Sequence, residues 1–516
     1  MRRMVVFAAL LALTFVSCAT LPPQQTAAAP QAARFKILQI NDVYKVEGLD
    51  AGATGGLARV RWLRELLESD GTPVLVLHAG DALYPSVMSK YLDARPMVDV
   101  LNRLDGDAQA MDERLIVTFG NHEFDKSTPD ILLARLADSQ FHWIATNTNR
   151  CDSAGKCDQP FPGVPRTLVE DIGGTRVGFF GVLYPGGAGN KYASTTDVLA
   201  AARDAVTQLQ SQGARVIVGV THEDMADDVK LAQSVPGVDL IIGGHDHLFA
   251  QQKAGNTWIT KADADAKSVI VYDVTVPATG PARTAPLRIA MDTTMPKDSA
   301  IDATVQTWMT TLATKLGGNE TLGRTKYLLE GVEPAVRGRE TALGNLLTDV
   351  ARAKLGTDIA FLNGGGIRIN DNIPPGPITS YDMEGIFYYN NDLVSFPLKG
   401  SELLEMLANS ISRVDAGDGR FLQISGFTYR YHKEGDHYVV TDVKIGGQPL
   451  DPAKTYTATT VDFLYQRGTE DGYQIFSDAR RPPKIAEAPD LRAATEAYVR
   501  SVGTVEKDVE GRIVRE

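Results

Sequence analysis

Positive charge is scarce in this chain of 516 residues. Its 52 lysines and arginines are outnumbered by 64 aspartates and glutamates, which leaves a formal net charge of −12. Proteins that bind duplex nucleic acid carry an excess of basic residues, so this balance argues against such a partner. A small anionic substrate stays open, because bound metal ions and a few arginines can supply positive charge locally. The length allows two large domains, each with its own core.

The apolar run at the N-terminus, residues 4–13, is too short to span a bilayer as a stable anchor. It follows two arginines, so residues 1–18 are predicted to be a secretion signal. The small Ser17 before Cys18 resembles a bacterial lipoprotein processing site, which would leave Cys18 as the lipidated first residue. Ordinary cleavage nearby is the alternative, because Phe15 stands where leucine is more usual. Either way the mature chain is predicted to be exported to the periplasm or the cell surface.

Cysteine is also scarce, with three in the whole chain. If Cys18 carries lipid, the remaining pair is Cys151 and Cys157, which lies in a polar loop. In an oxidising compartment this pair is predicted to close a small disulfide loop. A zinc knuckle is the competing interpretation, but further ligands are lacking nearby.

Between the signal and the first strand, residues 19–34 mix proline, glutamine and alanine without apolar periodicity, which predicts a flexible tether.

A polar stretch at residues 120–125 follows an apolar run, residues 115–119, that is typical of a buried strand. Open α/β sheets place their chemistry at the carboxyl ends of strands. An amide, an imidazole and two carboxylates in this stretch offer a metal ligand, a general acid and an orienting carboxylate. Taken alone, the stretch could also be a capped polar loop before a helix that starts near Ser127.

An acid or an imidazole ends several other apolar runs in the same way. They are Asp42 after residues 35–41, Asp81 after 74–80, His222 after 216–221, and His245 with His247 after 239–244. A lone buried histidine is usually structural, but such residues at the ends of several strands in one chain indicate a shared functional site. Histidines at this spacing suit two metal ions a few ångströms apart, the arrangement that clamps a phosphoryl group.

These motifs resemble those of the dinuclear metallophosphoesterases. With its second half, the chain resembles the bacterial and animal 5′-nucleotidase and UDP-sugar hydrolase family over residues 35–516. The resemblance implies an α/β fold, with a metallophosphoesterase-type αββα sandwich over residues 35–297 and an α+β nucleotide-binding domain over residues 326–516. Apolar residues at helical spacing predict a linker helix over residues 298–325. In this family a large domain rotation closes on the substrate, and a hinge is expected near this linker.

The resemblance also implies the ligands of two divalent ions. Asp81 would bridge the ions, and the other ligands would be Asp42 and His247 for the first ion and Asn121, His222 and His245 for the second. Carboxylate, imidazole and amide together suit zinc or manganese. The ions would activate a water molecule as the nucleophile. His122, oriented by Asp125, would add positive charge or a proton at the leaving side.

In the second half, a strand predicted at residues 358–362 runs into Asn363, three glycines and Arg368. The glycines let backbone N–H groups turn towards an anion, although a tight turn is the alternative. The resemblance implies that Arg337, Asn363 and Arg368 hold the phosphate.

Base and sugar recognition rests on the resemblance alone. It implies that Phe421 and Phe463 sandwich the nucleobase, although composition alone would place both rings in a core. Asp471 matches the acid that holds the ribose hydroxyls. The usual Gly-Gly-Asp-Gly of this loop is here Thr-Glu-Asp-Gly, so base and sugar preference is left open.

The main departure from the family pattern is Tyr44. Most members have Asp-x-His here, with the histidine on the first metal, whereas this chain has Asp42-Val43-Tyr44. A neutral phenol is a poor ligand, so either an ion such as Fe³⁺ deprotonates Tyr44 or the tyrosine does not coordinate. We expect a weaker or altered first metal site.

The sequence therefore predicts an exported, metal-dependent phosphohydrolase of nucleoside 5′-phosphates. Hydrolysis of UDP-sugars or of 2′,3′-cyclic nucleotides is the neighbouring alternative. From another class comes a non-catalytic nucleotide-binding lipoprotein, against which the nearly complete ligand set counts. The expected partners are a small nucleotide and, through lipid alone, a membrane. No polymeric nucleic acid is expected, and the oligomeric state is left open.

Overall fold

The computed structural model describes residues 32–189, 192–488 and 490–516. The predicted secretion signal and most of the predicted tether lie outside these residues. The tether was expected to end at residue 34, but Ala33 and Arg34 already pair with Val276 and Thr275 in a sheet. The first strand thus begins earlier than the pattern indicates. Among the described residues, no helix is both long and apolar enough to cross a membrane.

The first domain is built from two six-stranded sheets, the helices that cover them and a small three-stranded sheet. Its strands are β1 (Ala33–Ile40), β2 (Val74–His78), β3 (Asp112–Thr118), β4 (Phe141–Ile144), β5 (Thr148–Cys151), β6 (Cys157–Gln159), β7 (Thr167–Ile172), β8 (Thr175–Leu183), β9 (Ala193–Thr195), β10 (Val216–His222), β11 (Leu240–Gly243), β12 (Ala250–Ala254), β13 (Thr257–Lys261), β14 (Ser268–Val276) and β15 (Pro286–Ala290). Its helices are α1 (Leu57–Glu68), α2 (Val87–Leu92), α3 (Arg95–Leu101), α4 (Asp130–Asp138), α5 (Val198–Ser211), α6 (Met225–Ser234) and α7 (Ser299–Lys315).

The two large sheets have the orders β15-β14-β1-β2-β3-β4 and β12-β13-β11-β10-β8-β7, and the small sheet has the order β6-β5-β9. Strands β1, β2 and β3 run parallel in the first sheet, and β13, β11, β10 and β8 run parallel in the second. These strands are covered on both faces, which is why most of them are almost continuous apolar runs. Successive residues of β2 face different layers. Leu75 and Leu77 pack in the core between the sheets, whereas Val74 and Val76 pack against the helical layer. The predicted αββα sandwich is confirmed.

Helix α7 belongs to the first domain rather than to a free linker. Its Ile301, Val305 and Leu312 are buried in that domain's core, and Trp308 Nε1 donates to Asp99 Oδ2 at 2.8 Å. The predicted linker is wrong in its last part, because Thr321–Thr325 is a strand paired with strands of the second domain. The connection between the domains is therefore the short segment 316–320.

The second domain adds strands and helices of its own. Its strands are β16 (Thr321–Thr325), β17 (Leu329–Glu330), β18 (Ile359–Asn363), β19 (Asn372–Ile373), β20 (Gly376–Thr379), β21 (Leu393–Lys399), β22 (Leu422–Ser425), β23 (Phe427–Glu434), β24 (His437–Ile445), β25 (Gln448–Pro449), β26 (Thr455–Val461), β27 (Ala486–Ala488), β28 (Thr504–Val505) and β29 (Ile513–Arg515). Its helices are α8 (Glu333–Val336), α9 (Ala342–Leu355), α10 (Ser380–Ile386), α11 (Gly400–Ile411), α12 (Asp462–Arg467) and α13 (Leu491–Val502).

A five-stranded sheet of order β22-β18-β26-β21-β27 forms the centre of this domain. Its parallel and antiparallel pairs, with α9 and α11 buried in the same core, confirm the predicted α+β class. Helix α9 begins where the Thr341 side chain accepts the backbone N–H of Gly344 at 3.0 Å. In the first domain Cys151 and Cys157 form a disulfide, as predicted.

Candidate metal and phosphate site

The predicted metal ligands follow neighbouring strands of both sheets and meet at one edge of the sandwich. Oxygens of Asp42 and Asp81 and a ring nitrogen of His222 lie within 4.8 Å of one another. All three side chains are buried, at 0% exposure. The close approach requires glycine at position 120, where an added Cβ would lie 2.1 Å from Asp81 Oδ1. The strand-end geometry expected from the sequence is therefore present.

The ligands predicted for the second ion centre on His222. Its Nε2 lies 3.4 Å from Asp81 Oδ2 and 3.2 Å from Asn121 Oδ1. The other ring nitrogen, Nδ1, donates to the Ala79 carbonyl at 2.8 Å, which leaves Nε2 facing the carboxylates. Burial lowers the pKa of His222, but Asp81 and Asp42 outweigh it and raise that pKa to about 9. The field at this position therefore favours a cation.

His245 lies at the rim of this group. Its ring centroid is 5.1 Å from that of His222 and 4.8 Å from that of Tyr184, and its Nε2 is 3.7 Å from Asp224 Oδ1. Burial, with the nearby His222, lowers the pKa of His245 to about 3, so the ring is neutral and suited to bind a metal. Its part as a ligand stays a prediction.

The ligands predicted for the first ion surround the hydroxyl of Tyr44. That oxygen lies 2.9 Å from Asp81 Oδ2, 3.2 Å from Asp42 Oδ1 and 2.8 Å from His247 Nε2. Six ligand atoms placed about 2.1 Å from one octahedral ion lie about 3.0 Å from their neighbours. The phenol oxygen is thus at the spacing of one more ligand. Burial and the charges of Asp81 and Asp42 hold the pKa of Tyr44 well above its usual value, so the phenol is neutral.

Replacing Tyr44 with histidine is expected to strengthen the first metal site, because an imidazole is a better ligand than a neutral phenol. We expect the affinity for the first Mn²⁺ or Zn²⁺ to rise about tenfold or more. Calorimetric titration of the metal-stripped protein measures this affinity.

The visible spectrum tests whether the phenol of Tyr44 coordinates an ion. An intense visible band of the Fe³⁺-loaded protein that Tyr44→Phe abolishes supports coordination by the phenol. A colourless and fully active Tyr44→Phe excludes it.

Carboxylate, imidazole and amide donors fit divalent metal ions, and Asp42, Asp81 and His222 form one candidate metal site. Glu123 holds the loop that carries Asn121 against the loop that carries Asp81, a role that the sequence did not indicate. Its buried carboxylate accepts backbone N–H groups from Gly120 at 2.6 Å, Ala82 at 2.7 Å and Asp81 at 3.1 Å. Those bonds fix the loop before Asn121 against the loop that holds Asp81.

Lys261 supports the loop that carries His245 and His247, a role that no sequence motif indicates. Its ammonium group lies 2.7 Å from Asp246 Oδ2 and 3.1 Å from Asp228 Oδ2, and it donates to the Gly244 carbonyl at 2.8 Å. The side chain is fully buried. The loop is therefore fixed by a buried charge cluster.

Lys261→Met is expected to destabilise the fold by about 3–5 kcal/mol, because it leaves Asp228 as an uncompensated buried charge. The thermal unfolding midpoint and the bound metal content should both fall. Lys230→Met, which removes an exposed lysine of α6, is the matched control and should leave both unchanged. A Lys261→Met protein with the wild-type midpoint and metal content would contradict the supporting role.

His122 and Asp125 lie beside the ligands. His122 Nδ1 is 2.9 Å from Asp125 Oδ1, and the His122 backbone N–H donates to Asp81 Oδ1 at 2.9 Å. The two side chains are 17% and 21% exposed, in contrast to the sealed carboxylates of Asp42 and Asp81. The imidazole is therefore both oriented by a carboxylate and open to the cleft.

The second domain lies over this edge and closes a cleft of about 730 Å³. The cleft is lined by Asp81, Asn121, His122, His245 and His247 from one side and by Arg337 and Arg368 from the other. Contacts across the domains include Lys45 Nζ with Asp371 Oδ2 at 3.0 Å and the Tyr381 hydroxyl with Glu47 Oε1 at 2.8 Å.

Arg337 and Arg368 each have a hydrogen-bond donor available to an anion. Among the described residues, the buried Nε atoms of Arg337 and Arg368 have no hydrogen-bond partner. Gly364 packs so tightly beneath Arg337 that an added Cβ would lie 2.3 Å from the Val336 carbonyl oxygen. Asn363, predicted as the third phosphate ligand, does not line this cleft; its Nδ2 lies 3.5 Å from Asp471 Oδ2.

The two rings predicted to sandwich a base do not line the cleft. Phe421 has no exposed surface and packs in the core of the second domain, so its ring does not face the cleft, and its stacking on a base stays a prediction. The compositional expectation of a core residue is the one observed. Phe463 is 37% exposed, and the Arg467 guanidinium lies 5.5 Å from its ring centroid. Neither Phe463 nor Asp471 lines the cleft described above.

Comparison with known proteins agrees with this geometry. The model of the calcineurin-like phosphoesterases matches residues 35–249, and that of the 5′-nucleotidase C-terminal domain matches residues 321–478. The snake venom 5′-nucleotidase of Naja atra is 26% identical over 538 residues, which cover 93% of this chain and 98% of that protein. The protein named Endonuclease YhcR of Bacillus subtilis (strain 168) is 27% identical, but the match spans 39% of its length and 90% of this chain.

Solved structures give the same result. A 5′-nucleotidase precursor from Thermus thermophilus is 26% identical and has a TM-score of 0.76, with 93% of this chain and 99% of that chain covered. Both halves of the cleft are thus accounted for by one two-domain architecture. The chain is therefore a hydrolase with the two-domain architecture of the 5′-nucleotidases, in which a calcineurin-like phosphoesterase domain is joined to a 5′-nucleotidase C-terminal domain.

Proposed function

We propose that this chain is an exported, metal-dependent phosphohydrolase that releases phosphate from nucleoside 5′-monophosphates. The observation that carries the proposal is one cleft lined by metal ligands of the first domain and by Arg337 and Arg368 of the second. Its volume of about 730 Å³ falls within the range of small-molecule sites. We assign zinc or manganese to the centre, with iron as the alternative if Tyr44 coordinates.

Each group in the cleft has a role in the proposed hydrolysis. When bound, the ions supply Lewis acidity to the phosphoryl group and to the attacking water. Arg337 and Arg368 bind the equatorial phosphoryl oxygens, for which their free Nε–H groups are suited. His122, held by Asp125, faces the leaving oxygen and gives it positive charge or a proton.

The nucleoside is proposed to extend from the arginines towards the loop 413–419, which lines the far side of the cleft. Asp471 and the exposed ring of Phe463 remain the candidates for ribose and base contacts. Because Phe421 is buried, a base held between two phenylalanine rings would require the second domain to rearrange.

The lipid on Cys18 is part of the proposal, and Cys18→Ser should move the protein from the membrane fraction to the soluble fraction.

A substrate panel tests the proposed reaction. Metal-loaded protein is assayed for phosphate release from AMP and for hydrolysis of UDP-glucose and 2′,3′-cyclic AMP. AMP is expected to be the best substrate, and His122→Ala to lose the activity. His437→Ala, which removes an exposed histidine at the start of β24, is the matched control. Faster turnover of UDP-glucose or the cyclic nucleotide would assign the site to those substrates. Nucleotide binding without turnover under any metal would make the chain a binding protein.

A further inference from the structure

Glu333 is a residue of the second domain whose side chain joins groups of both domains. Its Oε2 accepts a hydrogen bond from His247 Nδ1 at 2.5 Å. Its Oε1 pairs with Arg337 Nη2 and lies 3.7 Å from Arg368 Nη1. The side chain is 8% exposed, and the backbone N–H donates to Asn370 Oδ1 at 3.1 Å. No motif in the sequence points to this residue.

The Glu333 carboxyl group contacts His247 of the first domain and Arg337 and Arg368 of the second. Burial raises its pKa, but Arg337, His247 and Arg368 outweigh burial and hold that pKa well below its usual value. A buried carboxyl group thus lies between a predicted metal ligand and the two arginines proposed to bind phosphate. Breaking such a cluster on one side leaves charges unpaired on the other.

We propose that Glu333 is a positioning residue that couples the first metal site to the phosphate site: it orients His247 towards the ion and pairs with Arg337 and Arg368 until a phosphate takes its place. The inference rests on the proposed metal centre and phosphate site. It makes one side chain responsible for two properties that respond in opposite directions when it is removed.

The geometry of His247 supports the first property. With Nδ1 held by Glu333, the opposite nitrogen, Nε2, lies 3.4 Å from Asp42 Oδ1 and 2.8 Å from the Tyr44 hydroxyl. A carboxylate on the far nitrogen of a metal-bound histidine fixes the orientation of the ring and raises its basicity. Here the carboxylate belongs to the other domain. The first ion is therefore bound most tightly when the domains are arranged as in this structure.

The charges around the arginines support the second property. Glu333 neutralises part of the positive charge that a phosphate would meet at Arg337 and Arg368. An arriving phosphate competes with Glu333 for the same guanidinium groups. Without Glu333, the arginines are open to phosphate even in metal-free protein.

Binding measurements on the full chain separate the two properties. Mn²⁺ is titrated calorimetrically into metal-stripped wild type, Glu333→Ala and Glu333→Gln, and inorganic phosphate is titrated into the same metal-free proteins. Glu333→Ala is expected to lose about 10–100-fold in affinity for one of two ions and to keep the affinity for the other. Its affinity for phosphate is expected to rise about fivefold or more, because a nearby negative charge is removed. Glu333→Gln should change both affinities in the same directions by smaller factors.

Glu330→Ala is the matched control, because Glu330 lies on the neighbouring strand β17 and pairs with the exposed Arg339. It should bind Mn²⁺ and phosphate as the wild type does. Unchanged binding of both ligands by Glu333→Ala would overturn the coupling. Weaker binding of both would also overturn it, since general damage to the site lowers both affinities together. Wild type that binds no Mn²⁺ at all would contradict the proposed metal centre instead.

Discussion

Asp81→Asn is expected to lower phosphate release from AMP by on the order of 10³-fold or more, since a two-metal centre contributes several kcal/mol and each 1.4 kcal/mol is a factor of about ten. Asp81 is the side chain shared by both predicted ion positions. Its Oδ2 lies 2.9 Å from the Tyr44 hydroxyl on one side and 3.4 Å from His222 Nε2 on the other. Asparagine keeps the shape but removes the charge that can bridge two cations.

The loss should appear in the metal content as well as in the rate. Elemental analysis of Asp81→Asn after dialysis is expected to give one ion per chain or none, against two for wild type. Asp436→Asn removes an exposed aspartate from the turn between β23 and β24 and should change neither value. A variant that keeps two ions and most of its activity would contradict the bridging role.

His122→Ala is expected to reduce kcat for AMP by about 10²–10⁴-fold, the usual contribution of a general acid or base. The side chain lies in the cleft, its Nδ1 is held by Asp125 at 2.9 Å, and none of its described contacts places it among the ligands of the ions. The affinity for metal should therefore stay close to that of wild type. Asp125→Asn should lose less activity, because it leaves the imidazole in place.

The leaving group distinguishes proton donation from mere support of the site. A p-nitrophenolate departs without protonation, whereas the 5′-oxygen of a nucleoside needs positive charge or a proton. With p-nitrophenyl phosphate, the loss caused by His122→Ala is therefore expected to be much smaller than with AMP. An equal loss on both substrates would show that His122 acts on structure and not at the leaving group.

Features that depend on local sequence were predictable. Asp42, Asp81, Asn121 and His222 each follow an apolar strand, and parallel strands of a covered sheet end at the same edge. Their proximity follows from that rule without knowledge of side-chain contacts. The disulfide between Cys151 and Cys157 was predictable for a similar reason, since both lie in one short loop.

Features that depend on contacts between distant segments could not be predicted. Glu333 meets His247 across two domains, and Lys261 meets Asp228 and Asp246 only after β13 has paired beside β11. No spacing in the chain encodes such pairs. The burial of Phe421 could not be predicted either, because its motif resembles the family's while its ring lies in a core whose packing the sequence does not display.

Element boundaries were displaced where pairing extends or ends an apolar pattern. Ala33 and Arg34 look like the end of a proline-rich and alanine-rich tether, but β14 provides a partner that draws them into the sheet. Thr321–Thr325 looks like the end of a linker, but its partners β20 and β28 lie far along the chain. Tertiary pairing outweighs local composition at both places.

The most direct test of the metal-dependent site is phosphate release from AMP by one preparation measured in three states. Wild type is assayed as purified, after chelator treatment, and after refilling with manganese or zinc, and metal content is determined for each state. We predict that activity is lost when the chelator removes the metal and that it returns when the protein again holds two ions per chain. Stripped protein that keeps its activity, or refilled protein that holds two ions and releases no phosphate, would contradict it.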